Sequence, residues 1–370
     1  MFNVLFIDDD DFMLRALLRL AKRLRPDWQF LSQSDVMHWR DSTQTEVKLD
    51  LIVCDYLMPQ LNGDKVLAEA AAVHPGAIRV LLTGDTSEEV VCNASKVAHF
   101  VLSKPFNEMD ILQVFQSVEL THSLPVSAEV RQMLSSSALL LPLPEVVKQV
   151  NKILQNEDAE SSDIAEVIEH EPIIVARILQ LANSAFMGFS RPTLSLCEAI
   201  RRLGVKLTSV VIASISIEQA STTMLDQVTH KKINDEAFTL AMNTRPICKA
   251  LGCKQDVQEE LFMAALLSAV GALITATNKW QQEYTIAYSS WPRAKLEAVV
   301  SAFMLTLWGY TDPLRYAVLW SAEPDLYYSD SNHALLLFLA RHRKENGGKL
   351  PADVLVKLPD PVLQQQLADC

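Results

Sequence analysis

The sequence predicts an α/β doubly wound domain with a five-stranded parallel sheet, followed by an all-α domain. Over the first third of the chain, short apolar runs alternate with helical patterns, which is typical of strands buried between helices. Beyond about Glu119 the chain continues through prolines and serines and then shows only helical patterns. Its 370 residues are enough to form two separate cores.

Five apolar runs are predicted to form the sheet. Four are continuous, as expected for parallel strands covered on both faces, and the fifth, residues 28–31, is weaker. The four stronger runs are residues 4–7, 51–54, 78–82 and 99–102. Between the first two, apolar residues recur at helical spacing and predict a helix with one apolar face. These residues are Leu14, Leu17, Leu18, Ala21 and Leu24.

The second part of the chain carries the start and stop signals of helices. Ser162 or Asp163 is predicted to cap one helix, and Pro172 is predicted to begin the next. Gly204 is predicted to end a third. After Arg341 the stretch KENGGKLPADVL predicts a loosely held tail.

Composition narrows the classes of protein that the chain fits. It is 49% hydrophobic and 21% charged, with a formal net charge of −12. This negative charge repels phosphates and argues against nucleic-acid binding. We expect no membrane span, because no apolar run reaches about 18 residues. The start lacks a secretion signal, so a cytoplasmic location is expected. The six cysteines include no CxxC pair and are interpreted as buried or incidental thiols.

Three acids are predicted to meet at one edge of the sheet. Asp8 and Asp9 follow the first strand, and Asp55 follows the third. Ligands of doubly wound sheets bind at the carboxyl ends of the strands. Carboxylates crowded there repel one another unless a cation lies between them, and carboxylate oxygens suit Mg²⁺. Each acid alone would more often be a turn or capping residue.

Two further groups are expected at the same edge. Thr83 ends the fourth strand and Lys104 ends the fifth, where a hydroxyl and an ammonium group are suited to hold phosphoryl oxygens. Pro59 and Gly63 are expected to shape the loop that leaves Asp55 and begins the next helix. Together the groups predict phosphoryl chemistry with Mg²⁺.

These residues resemble the receiver domain of two-component response regulators, a flavodoxin-like fold. The resemblance covers residues 1–121 and rests on the paired acids, Asp55 in DxxxPxxxG, the threonine and the Lys104-Pro105 pair. It implies that Asp55 accepts a phosphoryl group from a histidine kinase or phosphotransfer protein. One departure is Val101, three residues before the lysine, where the family usually has Tyr or Phe. The resemblance therefore does not extend to coupling through a swinging aromatic.

The resemblance also implies the roles of the other residues at this edge. Asp9 and Asp55, with the backbone carbonyl of Leu57, would bind Mg²⁺, and Asp8 would support the metal through water. Lys104 and Thr83 would hold the phosphoryl group. Members of this family often dimerise, so a homodimer is compatible with the resemblance.

Residues 138–335 resemble the HDOD domain, a helical output module of bacterial regulators, and leave 122–137 as a linker and 336–370 as a tail. The match rests most specifically on Asn183-Ser184 and on the Ala199-Ile200…Leu203-Gly204 turn. We expect Asn183 to cap or cross-link buried backbone rather than to contact a ligand.

The metal ligands of the related HD phosphohydrolases are not found where the resemblance places them. Ser268-Ala269 occupies the position expected for His-Asp, and Trp320-Ser321 a position where relatives often have histidines. A divalent ion needs imidazole or carboxylate ligands on one face. The histidines of this half are isolated in sequence and are predicted to be surface or capping residues; they are His170, His230, His333 and His342.

The leading hypothesis is a signalling protein in which phosphorylation of Asp55 switches a catalytically inactive helical domain that binds an unknown downstream protein. One alternative makes the helical half a sensor of a nucleotide second messenger. Another makes it a metal-dependent phosphohydrolase with an unconventional metal site. The sequence identifies neither the kinase nor the downstream target.

Overall fold

The fold is taken from a computed structural model of the chain. It divides into two compact units, the first from Met1 to Pro142 and the second over nearly all of the chain from Leu143 to Cys370. The structure describes residues 1–43, 48–84, 97–124, 126–135, 145–154, 156, 160–183, 191, 193–221, 225–277, 280, 291–308, 310, 313–327 and 332–368.

The first unit is built on a five-stranded parallel sheet with the order β2-β1-β3-β4-β5, which confirms the predicted fold class. Its strands are β1 Asn3–Ile7, β2 Gln29–Gln33, β3 Leu51–Asp55, β4 Ile78–Thr83 and β5 Phe100–Ser103. Every residue of β3 and β4 is buried, whereas β2 and β5 lie at the two edges and are partly exposed. The edge position of β2 explains why its apolar pattern is weak.

Helices α1 Asp11–Leu24, α2 Gly63–Val73 and α3 Glu108–Ser123 flank the sheet, with a 3₁₀ helix at Val36–Thr43. In α1, Leu14, Leu17 and Ala21 are buried as predicted. Asp10 caps this helix, its carboxylate accepting a hydrogen bond from the backbone N–H of Phe12.

The predicted linker over 122–137 contains a further helix, α4 Ala128–Leu134, capped by Ser127. Val130, Met133 and Leu134 are buried. Sequence reasoning missed this helix because seven residues give too short a periodic pattern, and packing against neighbours stabilises it instead. The guanidinium of Arg79 anchors the segment by donating from Nη2 to the carbonyl of Ser135 at 3.0 Å.

The second unit is helical, as predicted. Its described helices are α5 Glu145–Leu154, α6 Ser161–Ile168, α7 Pro172–Ala182, α8 Leu196–Leu203, α9 Val205–Ser221, α10 Gln227–Ala250, α11 Gln255–Leu267, α12 Ala269–Thr275, α13 Arg293–Leu307, α14 Leu314–Leu319, α15 His333–Glu345, α16 Ala352–Leu355 and α17 Pro361–Leu367.

Two of the three predicted helix boundaries in this unit are confirmed. Pro172 begins α7, and Gly204, at φ 78°, ends α8, a conformation that favours glycine. The predicted cap of α6 is wrong, because Glu160 takes the capping position and Asp163 bonds back to the Glu160 N–H from the first turn.

The tail after 336 is not loosely held, contrary to the prediction. Beyond Arg341 it contains the end of α15 and the helices α16 and α17, and five apolar side chains there are buried: Leu350, Val354, Leu358, Leu363 and Leu367. Two short helices in a Gly- and Pro-containing stretch give a weak sequence pattern, and their order comes from burial of these residues.

One segment, Gln255–Thr275, is long and apolar enough to cross a membrane by length and composition, contrary to the expectation that none would be. It comprises α11 and α12, and 67% of its most apolar window is buried within the protein. Core helices of soluble proteins pass the same test, so this segment is weak support for a membrane span.

Candidate functional site

Three carboxylates meet at the carboxyl ends of β1 and β3, as the sequence predicts. One oxygen from each of Asp8, Asp9 and Asp55 lies within 4.8 Å of the others. Asp8 is 1% exposed and Asp55 7% exposed, while Asp9 is exposed. The register places Ile7 beside Cys54, so both strands end at the same level and their acids converge.

Lys104 brings a positive charge to these acids. It follows β5, and its Nζ lies 2.7 Å from Oδ1 of Asp55 and 3.3 Å from Oδ2 of Asp8. The Lys104-Pro105 peptide bond is cis. The Lys104 side chain is three-quarters buried, so solvent screens this pair less than it would a surface pair.

Thr83 ends β4 at the same edge and is 1% exposed. Its Cα partner across the sheet is Ser103, and its carbonyl accepts a hydrogen bond from the backbone N–H of Lys104 at 2.7 Å. The ends of β4 and β5 are thereby joined. The role of the Thr83 hydroxyl and the metal contact of the Leu57 carbonyl stay predictions.

The buried charges shift the pKa values of two of these groups. Burial raises the pKa of the Asp8 carboxyl and the charge of Asp55 adds to this effect, while a hydrogen bond from the N–H of Asp10 and the charge of Lys104 oppose it. Burial disfavours the charged form of Lys104, yet its bond and attraction to Asp55, helped by Asp8, raise the pKa of the ammonium. Lys104 is therefore positively charged at neutral pH.

The donor set fits Mg²⁺. Three carboxylates within reach of one ion match a hard cation that prefers oxygen ligands. A single lysine, Lys104, contacts two of these three acids, so the group keeps an excess of negative charge that a divalent cation would offset.

Gly63 holds the loop after Asp55 close to β3. It is the first residue of α2, and its N–H donates to the carbonyl of Tyr56 at 2.9 Å. A Cβ at this position would lie 2.0 Å from the carbonyl oxygen of Asp55, so only glycine fits without displacing the strand. The predicted role of Gly63 in shaping this loop is borne out, and the close contact with Asp55 could not be read from the sequence.

The valine at 101 is partly buried and packs against the core cluster that contains Leu5, Ile7 and Leu81. An apolar side chain thus fills the position where the family usually carries an aromatic one. Packing alone accounts for Val101.

A buried arginine that sequence reasoning missed lies near the opposite end of β4 from Thr83. Arg79 is 0% exposed, and its side chain donates to the carbonyls of Val97, Ala77 and Ser135. Burial lowers its pKa to about 10. Its place within the strand run IRVLL was the one signal available, since a charged residue in a buried strand needs partners.

In the second unit, the position expected for His-Asp lies at a helix junction. Ser268 ends α11, and its carbonyl accepts a hydrogen bond from the hydroxyl of Ser301 at 3.0 Å. The same hydroxyl accepts from the N–H of Gly271 at 2.7 Å. A Cβ on Gly271 would lie 1.9 Å from the carbonyl oxygen of Glu297, so helix packing explains this glycine.

Asn183 cross-links backbone, as expected. Its side-chain amide donates to the carbonyl of Thr193 at 2.8 Å and accepts from the N–H of Thr193 at 2.7 Å. Its neighbour Ser184 lies outside the described residues.

The prediction for the histidines is wrong in two cases. His230 and His333 are 5% and 6% exposed, and Nε2 of His333 lies 3.0 Å from a carboxylate oxygen of Glu260. Both histidines are buried, and their isolated positions in the sequence do not reveal this burial.

Two family models match the chain. Residues 4–116 match the response regulator receiver domain, and residues 140–324, half of the chain, match the HDOD domain. The chain therefore belongs to the HDOD family and carries a receiver domain in its first unit. A receiver domain followed by an HDOD domain is the domain combination of a two-component response regulator.

Several solved structures are similar in part. The signal receiver domain of an HD domain-containing protein from Pseudomonas fluorescens Pf-5 is 24% identical, covering 33% of this chain and 90% of that chain with a TM-score of 0.31. A Shewanella amazonensis SB2B protein, provisionally assigned as a phosphohydrolase, is 22% identical. The match covers 64% of this chain and 89% of that chain, with a TM-score of 0.46.

An uncharacterized protein of Treponema pallidum (strain Nichols) is 24% identical over 132 residues, which is 36% of this chain. The match spans a quarter of that relative's length.

Proposed function

We propose that Asp55 accepts a phosphoryl group from a histidine kinase or phosphotransfer protein, and that this switches a catalytically inactive HDOD domain that binds a downstream protein. The observation that carries the proposal is the buried carboxylate of Asp55, 2.7 Å from the Lys104 ammonium and grouped with Asp8 and Asp9.

In the proposed reaction a carboxylate oxygen of Asp55 attacks the phosphorus of a phosphohistidine. An O–P bond forms as the N–P bond breaks, and the leaving imidazole nitrogen keeps the electron pair and takes a proton. Lys104 stabilises the charge on the transferred phosphoryl oxygens, and the Thr83 hydroxyl donates a hydrogen bond to one of them. Positioning and electrostatics supply most of the rate in such transfers.

Mg²⁺ is proposed to bind Asp9, Asp55 and the Leu57 carbonyl, with Asp8 supporting the metal through water. When bound, it offsets negative charge between the acids and the incoming phosphoryl group. The protein's own contribution is to hold the acids at two strand ends where that charge is needed.

Strand β4 and a hydrogen bond from Arg79 connect this edge of the sheet to the end of the first unit. Strand β4 carries Thr83 at its carboxyl end and Arg79 four residues earlier, and Arg79 holds the carbonyl of Ser135 just after α4. We propose that displacement of Thr83 toward a phosphoryl group alters this anchor.

We further propose that the helical domain is not a phosphohydrolase. Ser301 satisfies the backbone of Ser268 and Gly271 at the junction where related enzymes place metal ligands. Metal analysis of the purified protein checks this point, and bound transition metal with hydrolysis of a nucleotide substrate would overturn it. Binding of a nucleotide without hydrolysis, measured by calorimetry, would favour the sensor alternative.

The domain boundaries, cytoplasmic location and homodimerisation are proposed on the same basis. The net charge of −12 supports protein rather than nucleic-acid partners.

Phosphoryl uptake tests the assignment directly. The full chain is incubated with phosphoramidate and Mg²⁺, and intact mass is measured. We expect one phosphoryl group on wild type and on the control variant Asp27→Asn, which changes an exposed acid outside the site. Asp55→Asn should show none, and uptake persisting in that variant would refute the assignment.

A pull-down then tests the switch. Wild type and Asp55→Asn are each used as bait with and without phosphoramidate. A set of captured proteins that depends on phosphodonor in wild type only supports switching, whereas identical sets under all four conditions contradict it.

A further inference from the structure

A cavity of about 570 Å³ lies in the second unit between the end of α14 and the start of α15. This volume is within the roughly 300–1,000 Å³ of small-ligand sites. It is too small for a folded partner and large enough for one or two long side chains. The lining residues include Tyr316, Trp320, Glu323, Asp325 and His333.

Two aromatic rings form a wall of the cavity. Tyr316 and Trp320 are four residues apart, so they share a face of α14 and its last turn. They are 39% and 41% exposed, although large aromatic side chains are usually better covered. The Arg315 guanidinium lies 4.8 Å from the Tyr316 ring centre, so this ring already contacts one cation.

Two carboxylates lie beside the rings. Glu323 is paired with Lys295 at 2.7 Å and is still 55% exposed. Asp325 accepts from the N–H of Tyr327 at 3.0 Å. The side chain of Asn332 donates to the carbonyl of Asp325 at 2.9 Å, which fixes the turn that carries this acid.

We propose that this cavity binds a single arginine or lysine side chain of the partner protein. Cations are attracted to the faces of Trp and Tyr, and the carboxylates of Glu323 and Asp325 attract the same charge. The inference rests on the proposed function, since it takes the HDOD domain to be a protein-binding module.

The probe is a capped Gly-Arg-Gly peptide, and the reporter is the indole N–H signal of Trp320 in the ¹⁵N-labelled full chain. Trp320→Phe identifies that signal by its loss. We expect a saturable shift at millimolar peptide. Gly-citrulline-Gly, which has the same shape without the charge, should bind at least about threefold more weakly.

Variants then test each wall. Glu323→Gln and Asp325→Asn should each weaken binding about two- to fivefold, and Tyr316→Ala about two- to tenfold. The control Asp353→Asn, an exposed acid elsewhere in this unit, should leave the affinity unchanged. Equal binding of the citrulline peptide, or no shift of the Trp320 signal, would overturn the proposal.

Two further titrations distinguish failure of the cavity assignment from failure of the proposed function. Methylguanidinium alone binding as tightly as the peptide would reassign the site to a free small cation and overturn the partner-protein occupant. The titration is repeated in Asp55→Asn, where the peptide should bind unphosphorylated protein as it does in wild type. If wild type bound the peptide but took up no phosphoryl group, the proposed function would be contradicted and the cavity assignment would stand.

Discussion

Gly63→Ala tests how closely α2 approaches the strand that carries Asp55. The added Cβ would lie 2.0 Å from the carbonyl oxygen of Asp55 and 2.9 Å from Cδ1 of Leu81, while ordinary contact begins at 3.4 Å. Relief of the first contact requires a relative movement of about 1.4 Å. Backbone must supply it, because the oxygen belongs to a strand paired on both sides.

The expected cost follows from two opposing effects. Overpacking typically costs about 1–3 kcal/mol, while alanine regains at most about 1 kcal/mol of helix propensity at the start of α2. We expect a net loss of about 1–2 kcal/mol in the stability of the first unit. Since a misplacement of about 1 Å at a reacting group can cost about 100-fold, phosphoryl uptake should slow by about 10- to 100-fold.

The matched control is Gly76→Ala in the same unit, where the nearest atoms to the added Cβ lie 3.9 and 4.0 Å away. Both variants are compared with wild type by urea unfolding and by the rate of phosphoryl uptake from phosphoramidate with Mg²⁺. Gly76→Ala should stay within about 0.5 kcal/mol of wild type. If Gly63→Ala matched it in both measurements, the close contact would have no functional consequence.

Three further predictions concern single groups. Because the pKa of Asp8 is raised in the folded chain, its charged carboxylate lowers stability as pH rises above 3.8. Without Mg²⁺, Asp8→Asn should therefore be more stable than wild type near neutral pH, and this gain should vanish below pH 3.8. Unfolding measurements across that pH range that show no gain would contradict this prediction. Asn183→Ala removes both hydrogen bonds to Thr193 and should cost about 1–3 kcal/mol in urea unfolding; an unchanged midpoint would show that water replaces the amide. Ser301→Ala leaves the buried N–H of Gly271 without its acceptor and should likewise cost about 1–3 kcal/mol in urea unfolding. Ser301→Thr keeps the hydroxyl and serves as the comparison. Equal stability of the two variants would refute the role of that hydroxyl.

The sheet and its acidic edge were predictable because their signals are local. Strands covered on both faces are continuous apolar runs, and all five runs fall on observed strands. Parallel strands bring their carboxyl ends to one edge, so acids after β1 and β3 had to converge. The contacts of Lys104 with Asp55 and Asp8 follow from the same rule.

The features that sequence reasoning missed depend on tertiary neighbours. Helix α4 and the two tail helices are short, so their order comes from buried side chains such as Leu134 and Leu363 rather than from propensity. Arg79 needs three carbonyls from separate segments to be buried. A pattern along the chain cannot report partners that are distant in sequence.

The junction of α11 and α12 shows how helices of the second unit are held together without a metal in the described residues. A structural metal joins helices by binding side chains from each of them, and its loss would leave a gap or unpaired polar groups. Here the hydroxyl of Ser301 on α13 bridges the carbonyl of Ser268 and the N–H of Gly271. Gly271 lets α13 approach so closely that even a Cβ would overlap the carbonyl of Glu297. Direct helix contact and the bridging hydroxyl of Ser301 thus hold the three helices together at this junction.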